Sequence, residues 1–115
     1  MLAGHGMAAV LRAHGIPWVA GVSGESFLPL LDGLRRESLP FISTCHEGGA
    51  AFLAVGYARA SGRPGVVAVT RAPGASNALI GIHEALQANV PLVVIVGQLE
   101  SRVRGRRALQ EMEYT

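Results

Sequence analysis

Glu47 stands where a short extended run gives way to a helical pattern, in Cys45-His46-Glu47-Gly48-Gly49-Ala50-Ala51. A carboxylate there can accept hydrogen bonds. In a parallel α/β sheet ligands gather beyond the carboxyl ends of the strands, and a strand-to-helix junction lies at that edge by construction. A plainer account also covers Glu47, because an acid in the first turn of a helix gains about 0.3–1 kcal/mol from the helix dipole. Behind it, Gly48, Gly49, Ala50, Ala51, Ala54 and Ala58 recur at one-turn spacings and would let another backbone approach closely.

A second turn of this kind is Ala72-Pro73-Gly74-Ala75-Ser76-Asn77, which follows a strand-like run and opens a helix. Its amides and the positive helix end suit an anion or a polar ring, although a proline-containing helix start explains it equally well. It is not a Walker loop, since no Lys follows the glycine, and it is not the three-glycine dinucleotide fingerprint. Gly24 and Glu25, after the first strand, could line the same crevice, yet a glycine turn before a helix needs no ligand. His83 lies mid-helix beside Glu84 and receives no role.

Composition narrows the setting for these residues. The 115 residues suffice for one domain, and half are apolar. With 15 glycines and only three Phe, two Tyr and one Trp, the core must come from Val, Leu, Ile and Ala, which suits helix-on-sheet packing. The formal charge is +2, and all ten basic residues are arginine. Arg102, Arg104, Arg106 and Arg107 cluster without aromatic interleaving or a helical basic stripe, so a solvated loop is expected and no nucleic-acid partner. The single Cys45 excludes an internal disulfide, has no metal-ligand spacing to a histidine, and reads as a small buried hydrophobe. No cleavable leader pattern and no membrane-length apolar run occurs, so a cytoplasmic protein without a membrane partner is expected.

The elements that must position the two turns follow from periodicity. A helix over residues 4–14 carries Met7, Val10 and Leu11 and stops at Gly15 and Pro17. A strand over 18–22 leads to a turn with Ser26 as N-cap candidate, and then Phe27, Leu30, Leu31 and Leu34 mark the buried face of a helix with Pro29 in its first turn. A strand over 39–44 feeds the helix containing Glu47, which runs to Gly62. A β-branched strand over 66–70 precedes a helix from about Gly74 to Gln87, with Leu79, Ile82 and Leu86 on one face and Asn89 at its end. The run over 90–96 is the most strand-like in the chain. Alternation of this kind predicts an α/β fold with a parallel sheet, right-handed crossovers and helices on both faces.

Together, the segment from Cys45 to Gly65, Thr70-Arg71-Ala72-Pro73-Gly74-Ala75-Ser76-Asn77, and the run over 90–98 ending at Gln98 resemble the N-terminal, pyrimidine-binding domain of thiamine diphosphate enzymes, acetolactate synthase-like branch. The resemblance covers about residues 4–114, and three linked blocks are far more specific than any one. It implies that Glu47 hydrogen-bonds the aminopyrimidine ring of thiamine diphosphate and favours its imino tautomer. It implies that Gly24, Glu25, Pro73, Gly74 and Asn77 lie against the cofactor and that Gln110 lies on the substrate side. The reaction implied is decarboxylation or carboligation of a 2-keto acid, with the cofactor as electron sink.

Departures from the branch qualify this. Ala72 replaces the first glycine of Gly-Pro-Gly-Ala-Thr-Asn, Ser76 replaces its threonine, Ser23 replaces a proline, and Leu109 replaces the Phe of Phe-Gln-Glu, an aromatic that helps receive the second substrate. The Gly-Asp-Gly and downstream Asn signature, by which the family holds magnesium and the diphosphate, does not occur in these residues. The expectation is one incomplete domain over 1–115, inactive without a diphosphate-binding domain, working as a homodimer or with a separate diphosphate-binding chain. The alternative is a non-catalytic fragment or interaction module that keeps the fold and dimer surface.

Overall fold

A computed structural model describes residues 1–112. Helix α1 (Ala3–Ala13) is followed by strand β1 (Val19–Gly21), a 3-10 turn over Glu25–Phe27 and helix α2 (Leu28–Arg36). Strand β2 (Phe41–Ser43) feeds helix α3 (Glu47–Ser61), strand β3 (Gly65–Thr70) feeds helix α4 (Arg71–Ala88), and strand β4 (Leu92–Gly97) leads to a short 3-10 turn over Ser101–Val103. The sheet is parallel throughout, in the order β2-β1-β3-β4. The α/β class and parallel sheet are as the alternating pattern predicts. β4 is an edge strand, and the central position falls to β1 and β3.

The two faces of the sheet are covered differently. On one, α1 and α2 close over Ala8, Leu11, Ile16, Val19, Phe27, Leu30, Leu34, Leu39, Val66 and Ala68. On the other, α3 and α4 close over Ala20, Ala50, Ala51, Ala54, Val67, Val69, Ala75 and Ala78. Successive residues of β3 go to opposite faces, so a strand covered on both sides reads as a continuous apolar run. Gly81 makes the second contact possible, because a Cβ there would run into the Cβ and backbone of Ala51.

Three expectations about faces and ends are corrected. On α4 the buried residues are Ala72, Gly74, Ala75, Ala78, Gly81 and Ala85, whereas Leu79 and Leu86 point outward at 57% and 71% exposure. The small residues win the inner face because only they permit the close approach to α3. On α1 likewise Ala8 and Leu11 are buried, and Met7 and Val10 are exposed. Ser26 does not cap α2: it lies within the 3-10 turn, the N-cap position is Phe27 without a side-chain bond, and the Ser26 hydroxyl shares a 2.6 Å hydrogen bond with Thr70 at the end of β3. The C-terminal ends of α3 and α4 are as read, with Gly62 and Asn89 both left-handed after them.

Candidate functional site

The predicted residues gather beyond the carboxyl ends of β1, β2 and β3. β2 ends at Ser43, and three residues later His46 occupies the N-cap of α3 in extended conformation. Its Nδ1 accepts the Gly48 amide at 3.0 Å, satisfying one of the orphan donors of the helix start. That bond puts the neutral imidazole's proton on Nε2. The imidazole was not foreseen as a cap because histidine is not among the usual N-cap types. Thr44 completes the turn, its hydroxyl donating to the His46 carbonyl at 2.9 Å.

Glu47 follows as the first residue of α3 and is partly buried. Asn77 Nδ2 donates to its Oε2 at 3.0 Å, joining the starts of α3 and α4. The other oxygen, Oε1, faces Gly74, 3.5 Å from where a Cβ at that residue would stand. The second predicted turn therefore meets the first through named atoms. Cys45, expected to be buried, is exposed, because the residue lies in the bend between β2 and α3 and contributes to neither core.

The start of α4 differs from its expected form. The helix begins at Arg71, three residues before Gly74, and Arg71 itself has φ +45°, a left-handed conformation that costs a non-glycine residue about 1–2 kcal/mol. Pro73 thus falls in the first turn, where its missing N–H is no loss. The Ala72 amide, another orphan donor, finds the Gln110 carbonyl at 3.3 Å. Gln110 is thereby tied one residue from Pro73. Gly24 stands against Thr70, the residue before Arg71, and a Cβ there would lie 2.5 Å from the Thr70 Cβ. Glu25 makes a 2.7 Å ion pair with Arg71.

The electrostatics at the mouth come from the loop over residues 105–111. The Glu111 carboxylate accepts the Ala108 amide at 3.0 Å and the Gly105 amide in a short bond. The Gly105 and Ala108 bonds hold its carboxyl below the usual range, with Arg104 adding to the effect. Arg102, Arg104, Arg106 and Arg107 are exposed, as a solvated loop requires. Among the described residues no three His, Cys, Asp or Glu side chains converge on one point. No helix among them is long and apolar enough to cross a membrane. A groove of about 300 Å3 between α1, α2 and the end of β4 contains neither Glu47 nor Asn77.

The arrangement offers a carboxylate with one oxygen committed to an amide donor and the other beside a glycine, two helix N-termini, and an adjacent loop carrying Gln110. Over its full length, residues 1–115, the sequence matches the model of the thiamine pyrophosphate enzyme N-terminal TPP binding domain. It is 40% identical over 103 residues to the acetolactate synthase isozyme 2 large subunit of Escherichia coli, covering 90% of this chain and 19% of that protein. It is 36% identical over 110 residues to 2-hydroxyacyl-CoA lyase 2 of Danio rerio, covering 96% of this chain and 18% of that one. It is 33% identical over 104 residues to sulfoacetaldehyde acetyltransferase of Rhodobacter capsulatus, covering 90% and 18%. The chain spans about a fifth of the length of these relatives. It belongs to the thiamine pyrophosphate enzyme N-terminal domain family.

Proposed function

We propose that this chain is the pyrimidine-binding half of a thiamine diphosphate-dependent decarboxylase or carboligase acting on 2-keto acids, within the acetolactate synthase-like branch. Family membership implies the cofactor. The observation that carries the reading is the Glu47 carboxylate, held by Asn77 and facing Gly74 at the strand ends. The residues present fit an aminopyrimidine: an acceptor that can hold a proton at a ring nitrogen, a glycine that keeps the space beside it free of a side chain, and a fixed amide that orients the carboxylate.

When bound, thiamine diphosphate supplies the electron sink for loss of carbon dioxide from the keto acid. Glu47 holds and returns the ring-nitrogen proton and need not touch substrate. Asn77 keeps Oε2 occupied, so Oε1 is the oxygen presented to the ring. Gly24, Glu25, Pro73 and Gly74 border the cofactor, and Gln110 faces the substrate. Magnesium and the diphosphate are held by a domain outside these residues, so this chain alone is inactive. Leu109 in place of an aromatic disfavours acetolactate as the product.

The outward side of α3 and α4 exposes Phe52, Leu53, Leu79, Ile80 and Leu86. We assign this apolar face to a homodimer, or to the interface with a diphosphate-binding chain. If the same face serves without any catalytic partner, the chain is an interaction module that retains the fold.

Calorimetric titration of thiamine diphosphate with magnesium into the chain, alone and with a candidate diphosphate-domain chain, tests the reading. Binding only in the presence of the partner, with turnover falling by on the order of 100- to 10,000-fold in Glu47→Gln, is the expected result. Absence of binding in both titrations overturns the catalytic reading.

A further inference from the structure

Arg71, at the start of α4, reaches two other segments of the site edge, the turn after β1 and the loop after β4. Its guanidinium is largely buried, with 14% of the side chain exposed, against 72% for its ion-pair partner Glu25. Nη2 reaches Glu25 Oε1 at 2.7 Å in the 3-10 turn after β1, and Nη1 points to the Leu109 carbonyl at 3.4 Å in the loop after β4. The next residue, Ala72, donates its amide to the Gln110 carbonyl. The backbone of Arg71 is left-handed, a conformation that glycine would adopt without strain. A strained residue persists where the surrounding contacts over-determine it.

We propose that Arg71 is a positioning residue that clamps the turn bearing Glu25 and the loop bearing Gln110 to the start of α4, so that the three separate segments of the site move as one body. The idea rests on the pyrimidine-binding reading for its purpose, because that reading places Gly24 and Glu25, Pro73 to Asn77, and Gln110 around one ligand. The clamp itself is independent of any ligand. Arginine suits the task better than lysine, since a planar fork can serve two acceptors in different directions while an ammonium is a single point charge. The loop needs an external tie at this place. Glu111 binds Gly105 and Ala108 within the loop, and the described main-chain bond that joins the loop to α4 is the one between Gln110 and Ala72.

Amide hydrogen exchange of the full chain without cofactor, resolved by residue in NMR, tests the clamp. In Arg71→Gly the backbone strain is removed together with the guanidinium. The Ala72 amide should then exchange about tenfold faster. Amides deep in α4, such as those of Ala78 and Ala85, and the Gly105 and Ala108 amides held by Glu111 should keep their rates. Arg71→Lys should restore only part of the protection. A general loss of structure would speed all of these amides together, and an unchanged Ala72 rate in Arg71→Gly would overturn the proposal. Should the glycine variant fail to fold, Glu25→Gln removes one anchor and leaves the backbone alone. A roughly threefold faster Ala72 exchange is then expected, and no change overturns the clamp. Because no cofactor is present, this outcome is separate from the thiamine diphosphate titration, which tests the function alone.

Discussion

The two helical layers of this domain solve the same packing problem with opposite means. α1, α2 and the turn before α2 cover the sheet with Leu11, Phe27, Leu30 and Leu34, and α2 carries an ion-pair cluster in which Asp32 binds Arg35 at 3.1 Å and Arg36 at 2.7 Å. α3 and α4 cover it mainly with alanine and glycine, with Val55 buried and Ile82 packed against the core, while Phe52, Leu53, Leu79, Ile80 and Leu86 are exposed. The first layer keeps its largest side chains inside, whereas the second is lined inside by small residues and carries large apolar side chains on its outer side beside the exposed Arg59–Glu84 pair. A layer of small residues brings backbones close, which fixes the relative placement of Glu47 and Asn77, but it gains less from burial per residue, at roughly 25 cal/mol per Å2 of apolar surface. The lesson is that the site-bearing layer trades hydrophobic stabilisation for positional accuracy and leaves an apolar exterior for something else to cover.

That contrast can be broken at its strongest point first. Leu34→Ala removes a fully buried side chain from the first layer and should cost about 3 kcal/mol, read as a lower urea midpoint with unchanged slope. Gly81→Ala attacks the second layer from within, because the new Cβ meets Ala51 side chain and backbone. A loss of about 1–3 kcal/mol is expected from so small an addition. If Gly81→Ala is neutral, the close approach of α3 and α4 is not the constraint it is taken to be.

A smaller effect sharpens the comparison through pH. Asp32 has its carboxyl held below the ordinary value by hydrogen bonds from Arg36 and Arg35, against the opposing effect of burial. A carboxyl lowered on folding contributes stability that is fully present above its unfolded value, near 3.8, and is lost as pH falls through the lower folded one. Acid titration of the folded state should therefore show a decline in this range that Asp32→Asn flattens. The smallest change in monomer stability, within about 0.5 kcal/mol, belongs to Leu79→Ala on the outward face of α4. The same substitution should weaken self-association in sedimentation, whereas Leu34→Ala should not do so at equal folded fraction.

What the sequence revealed divides along the same line. The alternation of strands and helices, the α/β class and the helix stops at Gly15, Gly62 and Asn89 were legible because each depends on neighbours a few residues away. The face of α2 was legible too, since large residues there do what large residues usually do. The faces of α1 and α4 were not, because Met7, Val10, Leu79 and Leu86 have the right period for a buried stripe yet are exposed, displaced on α1 by Ala8 beside Leu11 and on α4 by the small residues. Strand lengths were overread at β1 and β2, which pair over only three residues each. Glu47 and the Pro73 turn could be placed at the strand ends from local pattern alone. Their meeting through Asn77, and the reach of Arg71 to Glu25 across 46 positions, depend on the order of strands in the sheet, which no local signal carries. The left-handed backbone of Arg71 was invisible for a related reason: nothing in Thr-Arg-Ala-Pro announces a positive φ on arginine.

One consequence concerns handling of the chain by itself. β4 pairs with β3 on one side only, and its run Val93-Val94-Ile95-Val96 has no charge and no proline to discourage a newcomer. Among the described residues nothing occupies its outer hydrogen-bonding edge. Such an edge is a template: each chain that unfolds partially offers a segment that can be laid along it, and growth is then limited by encounter. Purified alone, this polypeptide should precipitate with a rate that rises steeply with concentration. Val93→Lys, which places a charge on the exposed side of that segment, should delay the process measurably in light scattering.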